Sequence, residues 1–284
     1  MKKTVSIILV CAMIFTLCAC GKKEEKVHKV TEADLQEMRF EPFTVFDGKD
    51  YTVKVTDVTL DENNNCSIYV EMTNKSSDDY LFAAIVNSVN SFQTGIVATK
   101  DVPAFSSAEK EIYIPEMGEY GIEYYTDLRI AFSAFLADDQ FGDPVEEAAV
   151  RICPYGKDNT LKYEYTPADT DTVIVDNDIY TAIITDYDTD DLWGYSVNTV
   201  YINKTDKDIE LYLTDSYING IEINPMYTIM ISAGGTAVDY ISWFQSDFDK
   251  VGITEISEII MEFAVVDAQS REILSEKEVT LEFG

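Results

Sequence analysis

The sequence predicts an all-β chain of two tandem β-sandwich units, and three observations carry that reading. One is an internal repeat: "YINKTDKDIELYLTDSYING", Tyr201 to Gly220, echoes "MTNKSSDDYLFAAIVNSVNS", Met72 to Ser91. Asn74-Lys75 and Asn203-Lys204 lie 129 positions apart, and the same offset carries Tyr51-Thr52 onto Tyr180-Thr181, Asn90 onto Asn219 and Ala104 onto Ala233. Past a small insertion the offset becomes 131 and pairs Gly121-Ile122 with Gly252-Ile253 and Phe132 with Phe263. The second observation is apolar alternation of period two, and the third is the regular spacing of turn residues between the alternating runs.

The elements follow in order. "CSIYVEM" sets Cys66, Ile68, Val70 and Met72 on one face, and "SVNTVYI" alternates Val197, Thr199 and Tyr201 against Val200 and Ile202. "DLRIAFSAF" and "EVTLEF" alternate in the same way. Reversals fall at Asp47-Gly48, at 61–65, at Asp176-Asn177 and at 203–208, where Asn, Asp and Gly tolerate left-handed backbone. Seven or eight strands per unit argue for two immunoglobulin-like sandwiches, over residues 43–156 and 172–284, with a linker at 157–171. Trp243 aligns with Ile114 and is expected in the core. "SDFDKVG" predicts a short helix with Ser246 as its N-cap, Asp249 at the capping-box position and Gly252 ending it. The offset step belongs at or just before this turn, because a loop absorbs added length and a strand does not.

The N-terminus, "MKKTVSIILVCAMIFTLCACGKK", has a basic start at Lys2-Lys3 and an apolar stretch from Thr4 to Leu17. Leu17-Cys18-Ala19-Cys20 resembles the lipobox of bacterial lipoproteins. The resemblance implies a signal peptide at 1–19, diacylglycerol transfer to Cys20, and an extracytoplasmic chain held to the cell membrane by its N-terminal lipid. The alternative, an uncleaved spanning helix, is barely long enough. Residues 20–42, charged and apolar-poor until Met38, read as a flexible tether in which Thr31 and Asp34 can cap one helical turn.

The formal net charge of −31 becomes −33 once Lys2 and Lys3 leave. Such a chain repels phosphate backbones and anionic headgroups, so nucleic acid is not an expected partner. After maturation Cys66 and Cys153 remain. Export permits a disulfide between them, yet Cys66 shares parity with inward Ile68 while Cys153 is out of phase with Val150 and Ile152.

Catalytic patterns are sparse. The one histidine, His28, lies in the tether, so no Ser-His-Asp or Cys-His arrangement and no zinc cluster can form within either unit. "AGGTA" at 233–237 lacks the Lys and spacing of a phosphate loop. Carboxylate pairs are uninformative among 52 acids, and inward-facing acids look few, Glu262 and Glu282 being out of phase with their apolar neighbours. The most pointed cluster is "TDYDTDDLWG". Asp188, Asp190 and Asp191 with Trp193 form a candidate ligand-binding hairpin, the indole offering a stacking face beside acids. Its alternating Asp resembles the opening of a calcium loop, but Asp191 stands where the sixth-position glycine belongs and Val197 at the twelfth. No cofactor is called for; calcium is the one ion this pattern suggests.

The second unit is also similar to repeats of clostridial-type surface lipoproteins of uncharacterised function, on "NKTDKDI" (203–209), "YING" (217–220), "SAGGTA" (232–237) and "GITEISEIIMEFAVVDA" (252–268). These motifs imply structure rather than activity. The expectation is a non-catalytic binding module facing a protein or glycan of the envelope. Its alternatives are a carboxylate-dependent envelope hydrolase and a calcium-stabilised passive spacer.

Overall fold

The computed structural model describes residues 30–190 and 194–283. Residues 1–19, read above as a signal peptide, and Cys20, His28, Asp191 and Trp193 lie outside the described residues, as does the side chain of Asp190.

The first repeat contributes β1 (Phe43–Asp47), β2 (Tyr51–Leu60), β3 (Cys66–Asn74), β4 (Tyr80–Val89), β5 (Phe92–Val102), β6 (Ser107–Ile114), β7 (Leu128–Leu136) and β8 (Glu146–Ile152). One sheet runs β1-β2-β3-β6 and the other β8-β7-β4-β5. Setting β1 aside, β2, β3 and β6 face β5, β4, β7 and β8. This is the Greek-key order of an immunoglobulin-like sandwich, with one strand added at an edge. The second repeat contributes β9 (Thr172–Asp176), β10 (Tyr180–Asp190), β11 (Gly194–Asn203), β12 (Ile209–Ile218), β13 (Ile221–Glu222), β14 (Thr228–Ile231), β15 (Thr236–Trp243), helix α1 (Gln245–Val251), β16 (Glu258–Asp267) and β17 (Ile273–Glu282). It has one strand more than expected because the counterpart of β5 is broken into β13 and β14. At the break the Asn224 carboxamide accepts the Ser216 N–H (2.6 Å).

The alternation does its predicted work. Cys66, Ile68, Val70 and Met72 are all buried, as are Val197, Thr199 and Tyr201, and each repeat has its own apolar cluster. Cys66 and Cys153 are free thiols, and burial pushes Cys66 up to about 12.

The repeated asparagines explain the echo between the two stretches. Asn74 donates through Nδ2 to Asp78 O (2.7 Å) and Val102 O (3.1 Å), while its Oδ1 accepts Ser76 N (2.9 Å) and Oγ (2.9 Å). Asn203 repeats each bond with Lys207 O (2.7 Å), Ile231 O (3.1 Å) and Thr205 N (2.9 Å) and Oγ1 (2.8 Å). Asn90 and Asn219 form a second pair, in left-handed backbone at φ 50° and 52°. Asn90 Oδ1 accepts from Thr126 N and Asp127 N, and Asn219 Oδ1 from Ser257 N and Glu258 N. A buried turn needs both a donor and an acceptor on one short side chain, and asparagine supplies them.

The step from 129 to 131 falls in the connection after β6 and β15. A 3-10 turn at Gly118–Tyr120 becomes α1 in the second repeat, and Gly121 and Gly252 end both in left-handed backbone at φ 75°. The cap is corrected: Phe244, extended at φ −70° and ψ 139°, occupies the N-cap, so Ser246 lies inside the helix and Asp249 accepts Gln245 Nε2 (2.9 Å). The chain enters the helix straight from β15, two residues earlier than a cap at Ser246 would set it.

The repeats join through their sheets. Thr236 on β15 pairs in parallel with Phe92 on β5, and Thr236 N–H donates to Ser91 O (2.8 Å), making one path of eight strands. The linker is strapped to the first repeat by Tyr163 N–H to Asn90 O (2.6 Å) and Leu161 N–H to Thr126 Oγ1 (2.8 Å). The later half of the predicted tether is also corrected. Within 30–42 the Thr31 N–H and hydroxyl both donate to Asp34 Oδ2, Leu35 is only 6% exposed, and Arg39 N–H donates to Pro154 O (2.6 Å). Leu35 supplies the apolar contact that the charge-dominated composition of this segment obscures.

Candidate functional site

A cleft of about 860 Å³ opens between the repeats. The turn before β7 brings Tyr120 and Tyr124, the linker brings Tyr163 and Tyr165, and the β10-β11-β15 face brings Thr185, Val200 and Val238. Its volume sits within the range of small-molecule sites. Val200 points out of its own sandwich yet is only 1% exposed, so the linker side covers that face. Tyr163 packs edge-on to Phe92 at 4.9 Å and Tyr120 lies 4.7 Å from the same ring. Tyr165 donates its hydroxyl to Asp171 Oδ2 (2.6 Å), and burial with that bond raises its phenol. Glu119, Glu123 and Glu164 line the walls with a single lysine, Lys162.

The predicted hairpin lies at the far end of the second repeat. Asp186 and Asp188 are exposed on β10, each accepting the backbone N–H of the residue after it (2.8 Å). Asp190 pairs with Gly194 through the backbone. The structure therefore places Asp188 beside the hairpin but says nothing of Asp191 or Trp193. At the base of that hairpin the sequence reading missed an aromatic group. Tyr187, Tyr195 and Phe283 meet at ring separations of 5.3 to 6.2 Å. Tyr195 and Phe283 also line a pocket of about 350 Å³ with Phe248 and Ile256, and burial lifts Tyr195 to about 12. Gly194 is required there: at φ 91° a Cβ would meet Trp243 O at 2.2 Å.

A second omission is Asp239. It shares the parity of Ala237, Ile241 and Trp243 on β15 and so faces the sandwich interior, an inward acid the alternation itself signalled. Burial raises its carboxyl above the ordinary range. Thr199 donates to its main-chain oxygen (3.1 Å), and Tyr227 bears on its carboxyl, yet the hydroxyls of Tyr180, Tyr201 and Tyr227 complete no hydrogen bond. The first repeat has Val70, Met72, Ala98 and Lys110 where the second has Thr199, Tyr201, Tyr227 and Asp239.

The sign of the pH effect follows. With its folded value raised, Asp239 contributes stability that is complete below the unfolded carboxylate value of about 3.9 and lost as pH climbs through the folded value. Asp239→Asn should leave stability near pH 4 little changed and raise it at pH 7. Urea midpoints followed by tryptophan fluorescence check this, and a variant with the wild-type slope between those pH values would contradict it.

No protein-family model matches the chain, and no curated protein matches it. Solved structures that it resembles include a red sea bream transglutaminase, 11% identical with TM-score 0.27, covering 83% of this chain and 31% of that one. A Bacteroides uniformis beta-glucuronidase is 10% identical with TM-score 0.25, covering 77% of this chain and 26% of that one. The Salmonella enterica SafA pilin in complex with the SafB chaperone is 8% identical with TM-score 0.22, covering 83% and 98%. The chain thus spans less than a third of the transglutaminase and the glucuronidase, and what it shares with these proteins is distant likeness.

Proposed function

We propose that the chain is a non-catalytic binding module, lipid-anchored outside the cytoplasmic membrane through Cys20, that holds a neutral glycan of the envelope in the cleft between its repeats. The tyrosine-walled cleft carries this reading. Phenol rings stack on the apolar faces of pyranose rings, and glutamates accept hydrogen bonds from sugar hydroxyls. The acidic walls and the net charge of −31 turn away phosphate-bearing or uronic polymers. A hydrolase needs two carboxyls at a set separation, whereas the buried Asp127 and Asp267 are each paired with a cation, Arg151 and Lys207, and the inward Asp239 has hydroxyl neighbours.

Binding is tested by calorimetry with chitotetraose and maltotetraose. At least one should bind the wild type, and Tyr120→Ala together with Tyr165→Ala should weaken it about tenfold or more while the melting transition stays in place. No heat with either sugar would remove the glycan from the reading. Anchoring is tested separately: a fatty-acid analogue should label wild-type cells and not Cys20→Ala, and equal labelling of both would remove the lipid.

A further inference from the structure

The outward face of the β8-β7-β4-β5 sheet differs from its counterpart in the second repeat. A row crosses all four strands in register, Ala149 to Ala131 to Ile85 to Val97, with Ile85 37% and Val97 61% exposed. The neighbouring row toward one end is Glu147, Ser133, Ala83 and Thr99. In the second repeat Glu278 stands opposite Glu262 where the first sets Ala149 opposite Ala131, and Glu210 replaces Leu81. The second repeat behaves as an ordinary solvated face, whereas the first, in a chain of net charge −31, has an uncharged centre.

Charge is kept at the two ends of this face with opposite sign. Arg129 lies directly opposite Arg151 at one end, a like-charge pair that disfavours the sheet by itself. Arg151 is neutralised by Asp127 (2.7 and 2.9 Å), but Arg129 makes no hydrogen bond or ion pair among the described residues. Glu147 marks the other end, held only by a long bond from Ser133 Oγ (3.4 Å). An unpaired guanidinium beside an apolar row calls for a carboxylate from elsewhere, and the same face carries one.

We propose that this face docks a second copy of the chain, the two faces stacked about a twofold axis that runs along the Ala149–Val97 row. A self-complementary surface is what a twofold contact requires. An axis along β7 would set Arg129 over its own copy, and one between β7 and β4 would set it over Ser88, neither of which supplies a carboxylate. An axis along the row sets each central residue against itself, Arg151 over Glu147 and Arg129 over Ser133 of the other copy, so that Arg129 meets that Glu147 from the neighbouring strand. The aligned packing of two sheets, about 10 Å apart, leaves room for small residues at the centre and long charged ones at the ends. The second repeat cannot pair in this way, since Glu262 and Glu278 would meet their own copies.

The test uses the full-length chain in cells, with Val97→Cys on the axis and Met226→Cys, the matching exposed position of the second repeat, as collision control. Mild oxidation should yield a covalent dimer on non-reducing gels from Val97→Cys and not from Met226→Cys. Adding Ala131→Glu, which copies Glu262 of the second repeat and so suits this fold, should cut the dimer at least tenfold. Arg129→Glu should cut it similarly, and so should Glu147→Arg, which would set an arginine over Arg151 of the other copy. Equal cross-linking at 97 and 226, a dimer indifferent to Ala131→Glu, or a Val97→Cys adduct with another protein each overturns the proposal.

Discussion

Trp243→Ala should destabilise the second repeat by about 3–5 kcal/mol. The indole closes β15 at only 1% exposure, and its Nε1–H donates to Ser216 Oγ and Ile223 O (both 3.1 Å). Truncation therefore opens a large cavity and orphans two buried acceptors at once. Trp193 and Trp243 are the two tryptophans of the chain, so unfolding of this variant in urea is followed by circular dichroism, and tryptophan emission is kept for variants that retain Trp243. A loss below about 1 kcal/mol would mean the site collapses around the deletion, since the cost depends on how well neighbours relax.

Asn203→Ala should cost a similar amount, about 3–5 kcal/mol, without removing any apolar contact of note. Its Nδ2 donates to three carbonyls, of Lys207, Ile231 and Ser232, and its Oδ1 accepts two bonds from Thr205. Each bond contributes about 0.5–1.5 kcal/mol, and the carbonyls left buried without a donor add to that. Tryptophan emission in urea reads the effect, and the equivalent Asn74→Ala should leave it nearly unmoved because its clamp lies in the other repeat. If Asn203→Ala shifts the midpoint no more than Asn74→Ala, the clamp is not what holds the β11–β12 turn.

The parts of this architecture that a sequence shows are those with short-range causes. The Asn-Lys echo survives because no other side chain closes those turns, and the change of offset is confined to one connection between Gly-ended elements. The N-cap of α1 misled because serine is a favoured cap in general, while here the strand runs into the helix and leaves Phe244 at that position. Asp239 was legible by parity with Ala237 and Ile241, but apolar alternation is read from apolar residues and an aspartate in the pattern looks like solvent. The cleft had no local signature at all. Its tyrosines, spread from Tyr120 to Tyr165, come together because the linker is tied to Asn90 and Thr126, and only long-range hydrogen bonds bring that about.

The seating of residues 30–42 has a mechanical consequence. Leu35 and Arg39 are fixed beside Pro154 and Asn159. Tension applied at Val30 therefore loads these contacts first. It bears on Arg39 N–H to Pro154 O and on the weak contact of Asn159 with Asp34 O (3.5 Å) before it reaches any ladder of either sandwich. A few isolated bonds yield one at a time under load, whereas a paired strand resists as a unit. A pull would thus lengthen the chain by paying out this segment, up to β1, while both sandwiches stay folded.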